Sequence, residues 1–294
     1  MSEFIYHYCK PKVFNSIIKS KKIWLSDLRK SNDYEEIGGM MARIFSMLPE
    51  MLRRERDLFF HGSRDRYCAY VASYAKEYWE SEISPLALWM AMCFSRAEDD
   101  LSQWRGYTER ATGFAIGVRP EDARREINRI NHRVIDLKEI VYDKAEHERY
   151  AESAINSLIE DIRSSEGKNE NNIEVKIRAI VKRWFARLVL ELAYFKNPSF
   201  EREEEVRLCY SRVIKIRQLV NRSEGSILDH LGYDVTECDV VAHLEVDYPL
   251  ELISRIIIGP MNRATPNDIK MLLAVNGFDT DNIEIVKSRS TYRG

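Results

Sequence analysis

Apolar positions along this chain recur at two spacings, and the switch from one to the other marks its elements. Phe4 to Tyr8 is a short aromatic and β-branched run and predicts a strand. Pro11 then stands where a helix would begin, and Val13, Phe14, Ile17 and Ile18 share one face, so residues 11–20 predict a short amphipathic helix. Ile23 to Ser26 reads as a second strand, followed by a polar loop from Lys30 to Glu36. Residues 36–80 are expected to be helical. Met41, Ile44, Phe45, Leu48 and Leu52 keep helical spacing, with Pro49 marking a break or kink. Tyr67, Tyr70, Val71, Tyr74 and Tyr78 stripe a second helix. Such a stripe could stack on bases; packing on the core with hydroxyls at the rim is the favoured reading.

Leu86 to Phe94 is wholly apolar, and with Ser95 it predicts a buried central strand. Gly113 to Val118 and Val134 to Tyr142 are further strand candidates. Residues 145–163 return to helical spacing, Ser164 to Asn172 has loop composition, and residues 173–194 predict a long helix. That helix carries Lys176, Arg178, Lys182, Arg183 and Arg187 on both flanks of its apolar stripe. A basic helix can grip phosphates. Bases that border an apolar stripe more often pack their alkyl stems at a solvated boundary. Strands are expected again at 206–214, 240–246, 253–258 and 283–286, with a short helix capped at Thr265 and closed at Asn276-Gly277. The pattern predicts an α+β protein. A mainly antiparallel sheet core carries two large helical insertions, about 36–85 and 144–194, within a single domain spanning 1–294.

Composition narrows the function classes. The 294 residues hold 45 bases against 47 acids, a net charge of -2, which excludes a uniformly basic nucleic-acid coat. The longest apolar run is too short to span a bilayer, and the N-terminus lacks a secretory pattern, so no membrane association and a cytoplasmic location are expected. Five scattered cysteines without a CxxC pair argue against disulfides and structural zinc. Phosphate-binding glycine loops, HExxH and GxSxG are absent, and the six histidines are dispersed, so no metal site is expected.

Three polar clusters remain. His7 sits between Tyr6 and Tyr8 on the opening strand, where it is either a ligand contact or a buried, satisfied ring. Ser95 ends the apolar strand and is followed by Trp104 and Tyr107, which could stack on a flat ring or complete the core. The third is Phe200 to Arg207. A strand through it puts Glu203, Glu205 and Arg207 on one face. Two carboxylates on one face repel, which could raise one pKa, and Arg207 offsets that charge. The array suits general-base chemistry or stabilisation of a cation, unless it is a solvated charge run.

In order and spacing these stretches resemble the bacterial family known as domain of unknown function 2971. The matching pieces are Tyr6-His7-Tyr8, Trp24-Leu25-Ser26, Asn32-Asp33 with Glu35, Cys93-Phe94-Ser95, Trp104, Tyr107, Gly113 to Gly117, Lys196, Phe200 to Arg207, and Ile256 to Pro260. The early histidine, the hydroxyl on a later strand and the ExE box also resemble the ADP-ribosyltransferase layout, a split antiparallel sheet holding NAD in its cleft. That resemblance implies an NAD-dependent ADP-ribosyltransferase or NAD glycohydrolase, of the kind that serves as a toxin or phage-defence effector. It implies Glu205 as the catalytic carboxylate and Glu203 as its accessory. It implies His7 and Ser95 holding NAD, with Tyr8 or Tyr107 stacking on nicotinamide. Ser26, Asn32, Trp104 and Arg207 complete the expected cofactor contacts. The acceptor, protein or nucleic acid, is open, and a neutralising partner protein would accompany a toxin.

Two other readings stand beside it. A metal-dependent nuclease would gather Asp33, Glu35, Glu203 and Glu205 around a divalent ion. A non-enzymatic module would use the helical insertions to bind a partner protein.

Overall fold

The computed structural model describes residues 3–33, 35–55, 64–131, 135–165, 173–220, 226–235 and 237–292. In chain order, β1 (Ile5–Cys9) passes through Pro11 into α1 (Pro11–Ser20), whose buried Phe14, Ile17 and Ile18 form the predicted face. β2 (Lys22–Asp27) precedes α2 (Gly38–Arg54) and α3 (Arg64–Tyr78). β3 (Ala87–Ser95), α4 (Leu101–Tyr107), β4 (Phe114–Val118), α5 (Pro120–Asn131) and β5 (Asp136–Glu139) follow. α6 (Lys144–Ser165) and α7 (Ile173–Glu191) lead to β6 (Glu205–Val213) and α8 (Ile216–Val220). The chain closes with β7 (Leu231–Val235), β8 (Val240–Asp247), β9 (Arg255–Ile258), α9 (Pro266–Val275) and β10 (Glu284–Lys287). The last helix has a full capping box between Thr265 and Asp268.

All strands join one open sheet in the order β10-β9-β4-β1-β3-β2-β8-β7, with β6 on β3 and β5 on β6. Every pairing is antiparallel except β9 with β10. β3 is the hub. Along one edge it pairs with β6 over its whole length, from Ala87↔Val213 to Ser95↔Glu205. The other edge is shared: β2 takes Met90 and Ala91, and β1 takes Ser95. Between those contacts, residues 92–94 have no ladder partner on that edge among the described residues. The sheet therefore divides into two arms, and a notch opens between them.

Alternation along β3 explains its unbroken apolar run. Leu88, Met90, Met92 and Phe94 face one core with α1, α5 and α9, whereas Ala87, Trp89 and Ala91 face the second core. The two predicted insertions build that second core together. Residues of α2, α3, α6 and α7 pack as one helical cover on Ala87, Trp89, Ala91 and Cys209. Trp89 donates its indole N–H to the Val189 carbonyl at 2.9 Å, and Trp184 donates to Ala154 at 2.7 Å. The Tyr70–Tyr74–Tyr78 stripe stacks on itself and borders this core. Arg178 and Lys182 lie over those rings, and Arg187 pairs with Asp161 at 2.6 Å, so these bases engage neighbouring side chains on the exposed surface of the cover.

Some boundaries differ from expectation. α2 runs through Pro49 without a break. Of the strand expected from Val134, that first residue lies outside the described residues, and the ladder covers only Asp136–Glu139, with Val141 forming an isolated bridge to Phe195. α5 and β7 were not anticipated. α5 buries only Ala123 and Ile127 among its described side chains, too few to show a period, although Pro120, Glu121 and Asp122 carry a helix-start signature. β7 is an edge strand that buries only Leu231. The stretch expected as a loop at Ser164 to Asn172 begins inside α6 and otherwise lies outside the described residues.

Candidate functional site

The notch between the arms of the sheet opens into a cavity of about 210 Å³. β1 supplies Tyr6, His7 and Tyr8, and the turn after β2 supplies Ser31, Asn32 and Glu36. β3 supplies Cys93 and Phe94, and α4 supplies Gln103 and Tyr107. Lys196, Glu203, Glu205 and Arg207 come from the segment that ends in β6. The helical cover protects Trp89 and Ala91 on one face of β3 and leaves Cys93, next on that face, open to the cavity.

Its floor is a buried ionic network. The Arg207 guanidinium is 1% exposed and donates to both oxygens of Glu205, at 2.6 Å and 3.0 Å, to the Ala193 carbonyl at 2.6 Å, and to Glu36. Lys196 donates to Glu203 at 2.6 Å and to Glu205 at 2.9 Å, with Glu36 at 3.9 Å. Three carboxylates therefore share two cations, a formal charge of -1 with all of them ionised. Burial would push the Glu205 carboxyl up, but Arg207 and then Lys196 outweigh it and hold Glu205 at about 2. Burial wins at Glu36, whose pKa is raised despite Arg207, Ser31 and Lys196. The repulsion expected within the Glu203–Glu205 pair is thus absorbed at Glu205 by cations from two segments. The carboxyl with the raised value is Glu36, which the sequence did not single out.

The walls are polar and partly committed. Glu203 lies in a 3₁₀ turn just before β6, and its carboxylate accepts from Tyr107 at 2.6 Å; Asn32 in turn donates to the Tyr107 hydroxyl at 3.1 Å. Desolvation within the cavity and then the nearby carboxylates keep Cys93 a neutral thiol, and it donates toward Glu205. His7 bridges the unpaired stretch of β3. Its Nδ1 sits 2.9 Å from the Cys93 carbonyl oxygen, which can only accept, so Nδ1 carries the proton. Burial lowers the His7 pKa against that bond, so the neutral ring presents Nε2 as an acceptor.

Of the residues singled out from sequence, His7, Tyr8, Asn32, Tyr107, Glu203, Glu205 and Arg207 line this cavity. Tyr8 does so with its hydroxyl committed, donating to Ala97 and accepting from the Asp100 N–H. Ser95, Ser26 and Trp104 do not line it. The Ser95 hydroxyl donates to the Glu203 carbonyl at 2.7 Å and accepts from the Ala97 N–H, so it fixes the backbone under Glu203 rather than a ligand. Ser26 is exposed on β2, opposite Ala91 and His243. Trp104 is fully buried against Tyr8, with its indole N–H bonded to Asp99. Asp33 lies outside this cavity and accepts from the Glu35 N–H, and Glu35 lines a neighbouring one. Among the described residues no group of three or more His, Cys, Asp or Glu is placed to share a metal ion. Sequence reading missed Glu36 and the structural use of Lys196. For Lys196 the available signal was its place a few residues before the acidic stretch Glu201 to Glu205.

The five cysteines are free thiols. Among the described residues no helix is long and apolar enough to cross a membrane. Residues 103–208 match the family model described as a protein of unknown function, DUF2971. Over that stretch the chain resembles this family. The match takes in Tyr107, Lys196, Glu203, Glu205 and Arg207, and stops short of His7 and Asn32. No curated protein and no solved structure matches.

Proposed function

We propose that the cavity holds the nicotinamide-ribose end of NAD in an ADP-ribosyltransferase-like cleft, and that the protein transfers ADP-ribose or hydrolyses NAD. One observation carries this reading: His7 and Glu205, far apart in sequence, line one cavity where the sheet divides, with Glu205 held anionic. At about 210 Å³ the cavity is smaller than the ~300–1,000 Å³ of drug-sized sites, so it suits one ring and its sugar. The remaining dinucleotide would lie across the mouth, near Asn32 and Tyr107.

The chemistry follows from the charges. As the bond to nicotinamide breaks, positive charge moves from the pyridinium onto the anomeric carbon. A preplaced carboxylate at the ribose favours that state over the bound ground state. Glu205 supplies the fixed negative charge, and Glu203, its side chain 18% exposed against 5% for Glu205, is the carboxylate nearer the opening. The His7 Nε2 lone pair accepts from a ribose hydroxyl.

Incubation with NAD should release nicotinamide, and NAD should raise the melting temperature. Glu205→Gln should lower release at least 100-fold. Neither release nor thermal stabilisation by wild type would sink the proposal, and an active Glu205→Gln protein would sink that residue's role. The toxin or defence role belongs to the same proposal: expression should slow growth for wild type and not for Glu205→Gln.

A further inference from the structure

A second cavity of about 260 Å³ lies behind the first. Glu35, Arg43, Lys144 and His147 line it, and Glu36 and Lys196 line both cavities, so these two side chains form the partition. The chemistry proposed above uses neither cavity face of Glu36. A nicotinamide-ribose unit fills the first cavity and its mouth, so a nucleophile needs another way to the anomeric carbon. We infer that the second cavity is the acceptor entrance and that Glu36 is the general base for an incoming hydroxyl, from water or an alcohol. The inference rests on the NAD reading.

The lining has no free charge excess: Arg43 pairs with Glu148 at 3.1 Å and Lys196 with Glu203 and Glu205, which leaves Lys144 against Glu35 and admits a neutral hydroxyl. His147 donates through Nε2 to the Val141 carbonyl at 2.8 Å, leaving Nδ1 to accept from a hydroxyl. In the step itself, a lone pair of the hydroxyl oxygen forms the bond to the anomeric carbon. The bond to nicotinamide breaks, and its electron pair leaves with nicotinamide as a neutral base. The hydroxyl proton passes to the Glu36 carboxylate. Arg207, Lys196, Glu205 and Ser31 face Glu36, and burial among them leaves it a stronger base than an ordinary carboxylate.

Gly39 lines the second cavity only, and a Cβ there meets nothing closer than the Glu35 Cβ at 3.5 Å. Gly39→Leu therefore plugs the entrance without touching the first cavity. Stabilisation by NAD should persist in this variant while nicotinamide release falls at least tenfold. Glu36→Gln should likewise keep NAD binding, lose release, and lose the acidic limb of the pH–rate profile. With wild type, methanol should yield a methyl ADP-riboside. A wild-type rate in Gly39→Leu removes this inference alone. Absence of release from wild type removes the NAD reading and this inference together.

Discussion

Glu205 and Glu36 touch the same guanidinium, yet their neutralisation should have opposite effects on stability. A carboxyl moved from an ordinary 4.5 to about 2 is stabilised as its anion by about 3 kcal/mol, at ~1.4 kcal/mol per pH unit. Glu205→Gln removes that and leaves Arg207 partly unpaired inside the protein, which agrees with the ~3–5 kcal/mol typical of breaking a buried ion pair. At ~2–4 °C per kcal/mol, the loss of about 3 kcal/mol should lower the melting temperature by roughly 6–12 °C at pH 7. Glu36 carries the other sign. Its folded pKa lies above the unfolded one, so the folded protein takes up this proton first, and ionised Glu36 costs stability at neutral pH. Glu36→Gln should therefore be neutral or stabilising at pH 7. The wild-type profile follows from both groups. The Glu205 contribution is complete above about 4.5 and is lost as pH falls toward 2, whereas the Glu36 cost is relieved as pH falls through its raised folded pKa toward 4.5. Wild-type stability should peak in mild acid, and Glu36→Gln should flatten the rise toward that peak. Calorimetry of the three proteins from pH 3 to 8 tests this. Glu36→Gln proving costlier than Glu205→Gln at pH 7 would refute the reasoning.

Other sites give independent checks. Trp89→Ala removes a buried ring and its bond to Val189 at the junction of sheet and helical cover, and should cost about 3–5 kcal/mol by urea denaturation; a loss under about 1 kcal/mol would contradict that packing. Glu109, Arg110 and Ala111 hold three consecutive φ values of 54°, 58° and 62°, so exposed Arg110→Gly should stabilise by about 0.5–1 kcal/mol after the added unfolded-state entropy of glycine; thermal melts showing destabilisation would oppose it. His7 should be neutral at pH 6.5 with its proton on Nδ1, and a ¹⁵N NMR spectrum of a charged ring at that pH would rule out the hydrogen-bond assignment.

Local pattern reached far into this protein. The α1 boundaries, the apolar hub strand, the cap at Thr265 and both helical insertions follow from spacing and turn chemistry, because each signal sits within one element. The same logic overstated the hydroxyls and aromatics. Ser95 and Trp104 have the right chemistry at an inviting place, but backbone groups and Asp99 satisfy them within a few residues in space. Such satisfaction depends on packing, which side-chain type alone does not encode.

By itself the chain determined most of its element types, its two-faced central strand, and the gathering of charge at residues 201–207, since these depend on periodicity and on neighbours in sequence. Only the tertiary structure decided where that charge goes. It parted β1 and β2 along one edge of β3, placed His7 in the gap, and brought Glu36 and Lys196 from distant segments onto Glu205 and Arg207. The physical reason is that a carboxylate's protonation is set by burial and by cations within a few ångströms, and those distances exist only once the chain has folded.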